Sequence, residues 1–188
     1  VGPLVSALLS TVESYADLDD LTENDSKFKR LAEVLLKFFA DNPNEKIVLF
    51  SYFRETLNYL FERLTDLGIK PILLYGGMAE TKQEIINKFK EDDSYRILVS
   101  SEVASEGVDI QFCRVLVNYD LPWNPMKVEQ RIGRIDRLGQ SAEKIIIWNL
   151  FLEDTIDQRI YDRLLKRLGI FEYALGSMDG VIGEEIKK

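Results

Sequence analysis

Lys46 to Tyr52 reads KIVLFSY, a nearly continuous apolar run of the kind found in a strand covered on both faces of a parallel sheet. Downstream, Leu57, Leu60, Phe61 and Leu64 line one side of a predicted helix that Gly68 closes. The next strand runs from Pro71 to Tyr75 and ends at Gly76 and Gly77. Thr81 and Glu84 have the spacing of a capping box, opening a helix that turns Ile85, Ile86 and Phe89 inward. Three more strands are expected at Arg96 to Ser100, Arg114 to Tyr119 and Lys144 to Phe151. Upstream, Asp25 or Ser26 can cap a helix in which Phe28, Leu31, Leu35, Phe38 and Phe39 recur at helical spacing, and Asn42, Pro43 and Asn44 end it. A last helix is expected from about Asp154, burying Ile156, Ile160, Leu164 and Leu168 and stopping at Gly169. Strands alternating with helices in this way predict an α/β fold: an open, mainly parallel sheet with helices on both faces and right-handed crossovers.

At 188 residues the chain has room for one domain with a real core and not for two of ordinary size. Residues 25–168 are expected to form that domain, with 1–24 a linker or the end of a preceding element and 169–188 a C-terminal extension. No apolar run approaches the roughly 20 residues that span a bilayer, and no leader is evident, so a cytoplasmic location is expected. The single cysteine, Cys113, suits a reducing compartment and reads as a buried small hydrophobe. Histidine is absent, which removes histidine-based triads and nearly all zinc sites. The formal net charge of −8 means that any contact with nucleic acid must be a local patch, since a stand-alone binder is usually basic. The chain begins at Val1 without a methionine and reads as a piece of a longer protein.

In open parallel sheets, ligands bind beyond the carboxyl ends of the strands. Those ends carry Ser51, Tyr75, Gly76, Ser100, Ser101, Tyr119 and Asp120, although loops after strands are commonly polar in any case. Between the last two strands lies QRIGRIDRLGQ, Gln130 to Gln140, with Arg131, Arg134 and Arg137 at intervals of three. On a helix they form a stripe of guanidiniums, suited to an anion such as phosphate. Gly133 within the stripe costs about 1 kcal/mol relative to alanine, which points to close approach of a backbone or ligand. The plain alternative is a solvated face on which these arginines pair with Glu129 and Asp136.

Gln130, Gly133, Arg134 and Arg137 reproduce a QxxGRxxR pattern that resembles motif VI of superfamily 2 helicases, and Leu138, Gly139 and Gln140 continue it as in the Swi/Snf branch. YDLPWNP, Tyr119 to Pro125, resembles the segment preceding that motif in the same branch, where Trp123 reads first as a structural anchor of the corner. SSEVASEGVDIQF, Ser100 to Phe112, aligns without a gap onto motif V. Weaker resemblances join Ser51, Tyr52 and Phe53 to motif IV, with Phe53 equally readable as core, and Tyr75, Gly76 and Gly77 to a phosphate-contacting motif. Glu106 and Asp109 depart from other branches, and Ser105, Glu106 and Gly107 with Gln111 and Phe112 are closer to the bacterial RNA-polymerase-recycling ATPases.

The resemblance covers roughly residues 25–168 and implies the C-terminal RecA-like lobe of a Swi/Snf-type, ATP-dependent DNA translocase. It implies that Arg134 and Arg137 are arginine fingers, that Gly107 and Asp109 approach the nucleotide, and that Gln130 orients neighbouring groups. It further implies that Ser51, Gly76, Ser100 and Ser101 contact nucleic acid, while Arg131 serves a structural or interdomain contact. Motif V taken alone also reads as a turn, because Ser, Glu, Gly and Asp build turns. The sequence has no GxxxxGK[ST] loop and no Asp-Glu pair. ATP and Mg²⁺ would therefore be held with a separate Walker-motif lobe, and this chain alone would bind neither tightly. The partners implied are that lobe, double-stranded DNA and, in the recycling relatives, RNA polymerase. The competing reading is a helicase-like interaction scaffold that makes no use of ATP.

Overall fold

The computed structural model of the chain describes residues 25–122, 124–135 and 145–152, together with Gln158, Arg159, Asp162 and Lys166. Five strands, β1 (Ile47–Ser51), β2 (Pro71–Leu74), β3 (Ile97–Ser101), β4 (Val115–Asn118) and β5 (Ile146–Asn149), alternate with helices. The helices are α1 (Ser26–Asp41), α2 (Arg54–Asp66), α3 (Lys82–Glu91), α4 (Glu102–Ser105) and α5 (Pro125–Ile135). The strands make one sheet in the order β2-β3-β1-β4-β5, and every pairing is parallel.

The KIVLFSY stretch supplies the central strand, and all five residues of β1 are buried. Its side chains alternate between two cores, as the two-residue period of a strand requires. Val48 and Phe50 join Leu98, Leu116 and Ile147 beneath α3 and α5, which contribute Ile85, Ile86, Phe89, Val128, Ile132 and Ile135. Ile47 and Leu49 face the other way with Ile97, Val99, Val115 and Val117, against Phe28, Leu31 and Leu35 of α1 and Leu57, Leu60 and Leu64 of α2. The result is a three-layer α/β sandwich, as the alternation of elements predicts, and of the RecA-like kind that the resemblance implies.

Local chemistry starts and stops the helices where expected. Asp25 caps α1, its Oδ1 accepting from the Phe28 amide at 2.9 Å. Thr81 and Glu84 close the capping box of α3, and Gly68 follows α2 in the left-handed region at φ +76°. Phe61 is only half-buried, and Phe53 is 60% exposed, so the core alternative for Phe53 does not hold. Its physical reason is that β1 ends at Ser51, and Phe53 stands outside the sheet as the residue preceding α2. Gln158, Arg159, Asp162 and Lys166 are helical. The buried edge expected for the last helix, the linker 1–24 and the extension 169–188 lie outside the described residues.

The topology puts one rim to use. α2 leaves β1 on one face of the sheet, whereas α4 and α5 leave the flanking strands β3 and β4 on the other. Right-handed crossovers running in opposite directions require this change of face. It opens a crevice at the carboxyl end of β1, where α/β sheets bind ligands. Ser51 is in register with Ser101, so the ends of β1 and β3 meet there.

Candidate functional site

Asp120, just past β4, organises the middle of the rim. Its Oδ2 accepts from the Ser51 hydroxyl and from the Tyr52 amide at 3.2 Å, and Lys27 Nζ stands 3.7 Å from Oδ1. Ser51 and Ser100 are both fully buried, the Ser100 hydroxyl donating to the Ser101 carbonyl at 3.0 Å. The structure thus places these two expected nucleic-acid contacts beneath the rim, their hydroxyls committed to the protein. The next residue, Ser101, is half-buried, and its Oγ accepts from the Ala104 amide at 3.3 Å. Gly76 is exposed, and no atom of the described residues lies within 4 Å of where its side chain would stand. Beside it the Arg54 guanidinium lies 4.4 Å from the centre of the Tyr75 ring.

The loop after α4 has the character of a turn, and it presents the expected groups. Gly107 is exposed at φ +78°, a conformation that glycine adopts without the steric cost a Cβ brings. Asp109 is exposed, and one carboxylate oxygen accepts from the Gln111 amide at 3.1 Å, leaving the other free of that bond. Lys82 Nζ reaches the Glu106 carbonyl at 3.4 Å, joining the start of α3 to this loop.

The arginine stripe divides within one helical turn. Arg131 is 1% exposed, its Nη1 donating to Asn118 Oδ1 at 2.8 Å and to the Asp120 carbonyl at 2.9 Å. Nη2 is 3.5 Å from Glu102 Oε2, and the guanidinium stacks 5.3 Å from the Phe50 ring centre. Burial lowers the affinity of this guanidinium for its proton, while the charges of Glu102 and Asp120 oppose that shift. Arginine starts so far above neutrality that it stays charged. Arg134 is half-buried, and no side chain pairs with it among the described residues. Three residues advance a helix by about 300°, so successive members of the stripe are turned about 60° apart. That offset sends Arg131 under the rim and leaves Arg134 on the flank. The expected structural role of Arg131 is what the structure shows, and the pairing partner is Glu102 of α4, not a neighbour on its own helix. Gln130 is exposed, and among the described residues nothing outside its own helix turn lies within 4 Å of the Cβ position of Gly133. Arg137, Gly139, Gln140 and Asp136 lie outside the described residues, as does Trp123.

Sequence reasoning missed Glu102 and Asn118. Asn118 closes the buried run VLVN and also donates to Asn149 Oδ1 at 2.8 Å; a polar residue at the end of an apolar strand was the available signal. Glu102 carried no such signal, because its partner Arg131 lies 29 residues away in another element. Elsewhere, burial pushes the Cys113 thiol up, which keeps it protonated and inert, as its apolar setting suggests. Among the described residues no group of three or more metal-ligating side chains occurs, and no helix is long and apolar enough to cross a membrane.

Comparison with known proteins agrees with this arrangement. Residues 26–139, more than half of the chain, match the helicase conserved C-terminal domain. Over 165 residues the chain is 32% identical to the uncharacterized ATP-dependent helicase YqhH of Bacillus subtilis (strain 168), covering 88% of this chain and 28% of that protein. The chain therefore spans less than a third of that relative's length. The crystal structure of the C-terminal part of the Fun30 ATPase domain is similar at a TM-score of 0.70 and 28% identity, over 86% of this chain and 51% of that one. The match across α1 to α5 and the shared sandwich place the chain in a family: it belongs to the helicase conserved C-terminal domain family, as a RecA-like lobe.

Proposed function

We propose that this chain is the lobe of a Swi/Snf-type DNA translocase that completes an ATP site from across a cleft. The observation that supports this most directly is the division between Arg131 and Arg134. The first is locked to the rim, so the second, three residues or about 4.5 Å further along α5, is a cation held on a rigid element without a partner among the described residues. Phosphoryl transfer builds charge on the equatorial oxygens of the γ-phosphate, and a guanidinium presented to them accelerates it by about 10³ to 10⁵. Arg134 and Arg137 take that role. Gly107 allows the backbone to come close to the nucleotide, and the exposed carboxylate of Asp109 accepts from the ribose hydroxyls. Gln130 orients the groups around them.

Ser101 and the exposed Gly76 contact the phosphates of duplex DNA, while Ser51 and Ser100 hold the strand ends from beneath. The chemistry of the donors here fits a nucleotide's sugar and phosphates better than its metal: cationic forks and a lone carboxylate are on offer. Mg²⁺ and the β- and γ-phosphates belong to the Walker-motif lobe of the parent protein. The cycle of binding and hydrolysis would close and open the cleft and step the protein along DNA.

The purified chain should show no ATP turnover, and adding the missing lobe should give turnover that duplex DNA stimulates. Steady turnover by the chain alone would overturn the assignment. Nucleotide-independent binding of a protein partner by the two-lobed protein, with no turnover, would favour the scaffold reading instead.

A further inference from the structure

We propose that Tyr52 and Phe53 form a stacking platform for unpaired bases of a DNA strand whose phosphates Arg54 and Lys127 attract; this goes beyond the translocase reading above and takes from it that the nucleic acid is DNA. Among the described residues Tyr52 and Phe53 are the two most exposed large hydrophobic side chains, at 57% and 60%. They meet edge to face, with ring centres 5.2 Å apart. Single apolar side chains on a surface are ordinary, but two aromatic rings left in water side by side at a ligand-binding rim are not. Packing does not explain Phe53. It is the N-cap of α2, a position that favours serine, threonine, aspartate or asparagine, and its side chain makes no capping hydrogen bond. The chain thus forgoes a cap here and buries little of the ring in return. Tyr52 is held through its backbone: its amide donates to Asp120 Oδ2 at 3.2 Å, just past the end of β1.

The cations beside the rings indicate the ligand. Lys127 Nζ, which also pairs with Glu102 at 3.4 Å, stands 5.7 Å from the centre of the Tyr52 ring. Arg54, the residue after Phe53, lies 4.4 Å from the centre of the Tyr75 ring, its Nη2 donating to the Tyr75 hydroxyl at 3.3 Å, and Tyr75 leads into the exposed Gly76. Rings and cations therefore interleave along the crevice mouth, from α5 past the end of β1 to the end of β2. The acidic group among them, Asp120, is offset by Lys27 at 3.7 Å and bonded by the Ser51 hydroxyl. A basic surface interleaved with aromatic rings holds single strands, the phosphates going to the cations and the faces of the bases to the rings. In an intact duplex those faces are stacked on one another, and the grooves offer base edges that polar side chains read. Ring faces have little to exchange with such edges or with phosphates. A base out of the stack presents a flat face that matches theirs. Ser101 and Gly76 follow the backbone, while Tyr52 and Phe53 take hold of a base where pairing is interrupted. No covalent step is involved.

The test measures the affinity of the two-lobed parent protein for two DNA molecules of equal length, a fully paired duplex and one interrupted by a short single-stranded oligothymidine gap. The unsubstituted protein is expected to bind the gapped DNA more tightly. Phe53→Ser, which supplies a better N-cap and removes the ring, should weaken binding to the gapped DNA about tenfold, within the range for one lost base–aromatic stack. Affinity for the paired duplex should change by less than about twofold, and the melting temperature should not fall. Tyr52→Leu, which keeps apolar bulk without an aromatic face, should show the same selective loss, and Tyr52→Trp should retain the parent affinity. Should Phe53→Ser fail to fold, the two Tyr52 variants decide. Equal losses on both DNA molecules overturn the stacking, as does equal affinity of the unsubstituted protein for both. Unchanged affinity for gapped DNA together with a lowered melting temperature assigns the rings to the seam with the other lobe and overturns it as well. A parent protein that binds neither DNA removes the translocase reading itself, and the platform with it.

Discussion

At the scale of single residues, Gly133 separates a packing explanation from a functional one. It lies inside α5, and among the described residues nothing outside its own helix turn lies within 4 Å of a methyl group built at its Cβ position. Replacing it with alanine should therefore stabilise the isolated chain by about 1 kcal/mol, read from urea unfolding, because glycine is the poorer helix former. On the translocase reading, the same Gly133→Ala change should lower ATP turnover of the two-lobed protein, because that reading gives the space to a close approach from the other lobe. Turnover that matches the parent would show that the glycine has no such role. Gly107 differs in kind, since its φ of +78° calls for glycine whatever approaches the loop. The two arginines make a similar contrast. Their spacing was plain in the sequence, but which of them turns under the rim depends on Asn118, Asp120 and Glu102, residues brought together only by the fold.

At the scale of elements, α1 is pinned by one carboxylate. Asp25 caps the helix through Oδ1 and accepts through Oδ2 from the Tyr59 hydroxyl at 2.8 Å and the Tyr119 hydroxyl at 3.3 Å. Burial, followed by the hydrogen bond to Asp25, raises the Tyr59 phenol from 10.0 to about 12. A folded pKa above the unfolded one favours the protonated, folded form. Its contribution is whole below about pH 10 and is lost as pH rises through about 12. Unfolding midpoints measured across that window should fall less steeply for Tyr59→Phe than for the parent chain, and equal slopes would refute the linkage. The strands and helices themselves were legible because each carries its own signal: unbroken apolar runs for β1 and β4, a capping box for α3, a cap and an apolar stripe for α1. Phe53 was not, since an aromatic at the end of an apolar run looks the same whether the strand continues or stops.

At the scale of the whole molecule, the parallel sheet brings the ends of β1, β3 and β4 to one crevice, where Ser101 stands at the end of β3 and Arg131 of α5 bonds the end of β4. That convergence was implied by the alternation of elements, whereas the commitment of Ser51 and Ser100 to the interior was not, because serine at a strand end reads alike whether it faces in or out. The net charge of −8 is consistent with a lobe that contributes local contacts while another part of the parent protein supplies the attractive field. The central claim is that Arg134 is directed at a triphosphate held by that other part. Its most direct test is single-turnover ATP hydrolysis by the two-lobed protein carrying Arg134→Ala, at saturating ATP and DNA. The account predicts a fall in rate of about 10³ or more with nucleotide still bound, and a rate within a few-fold of the parent's would contradict it.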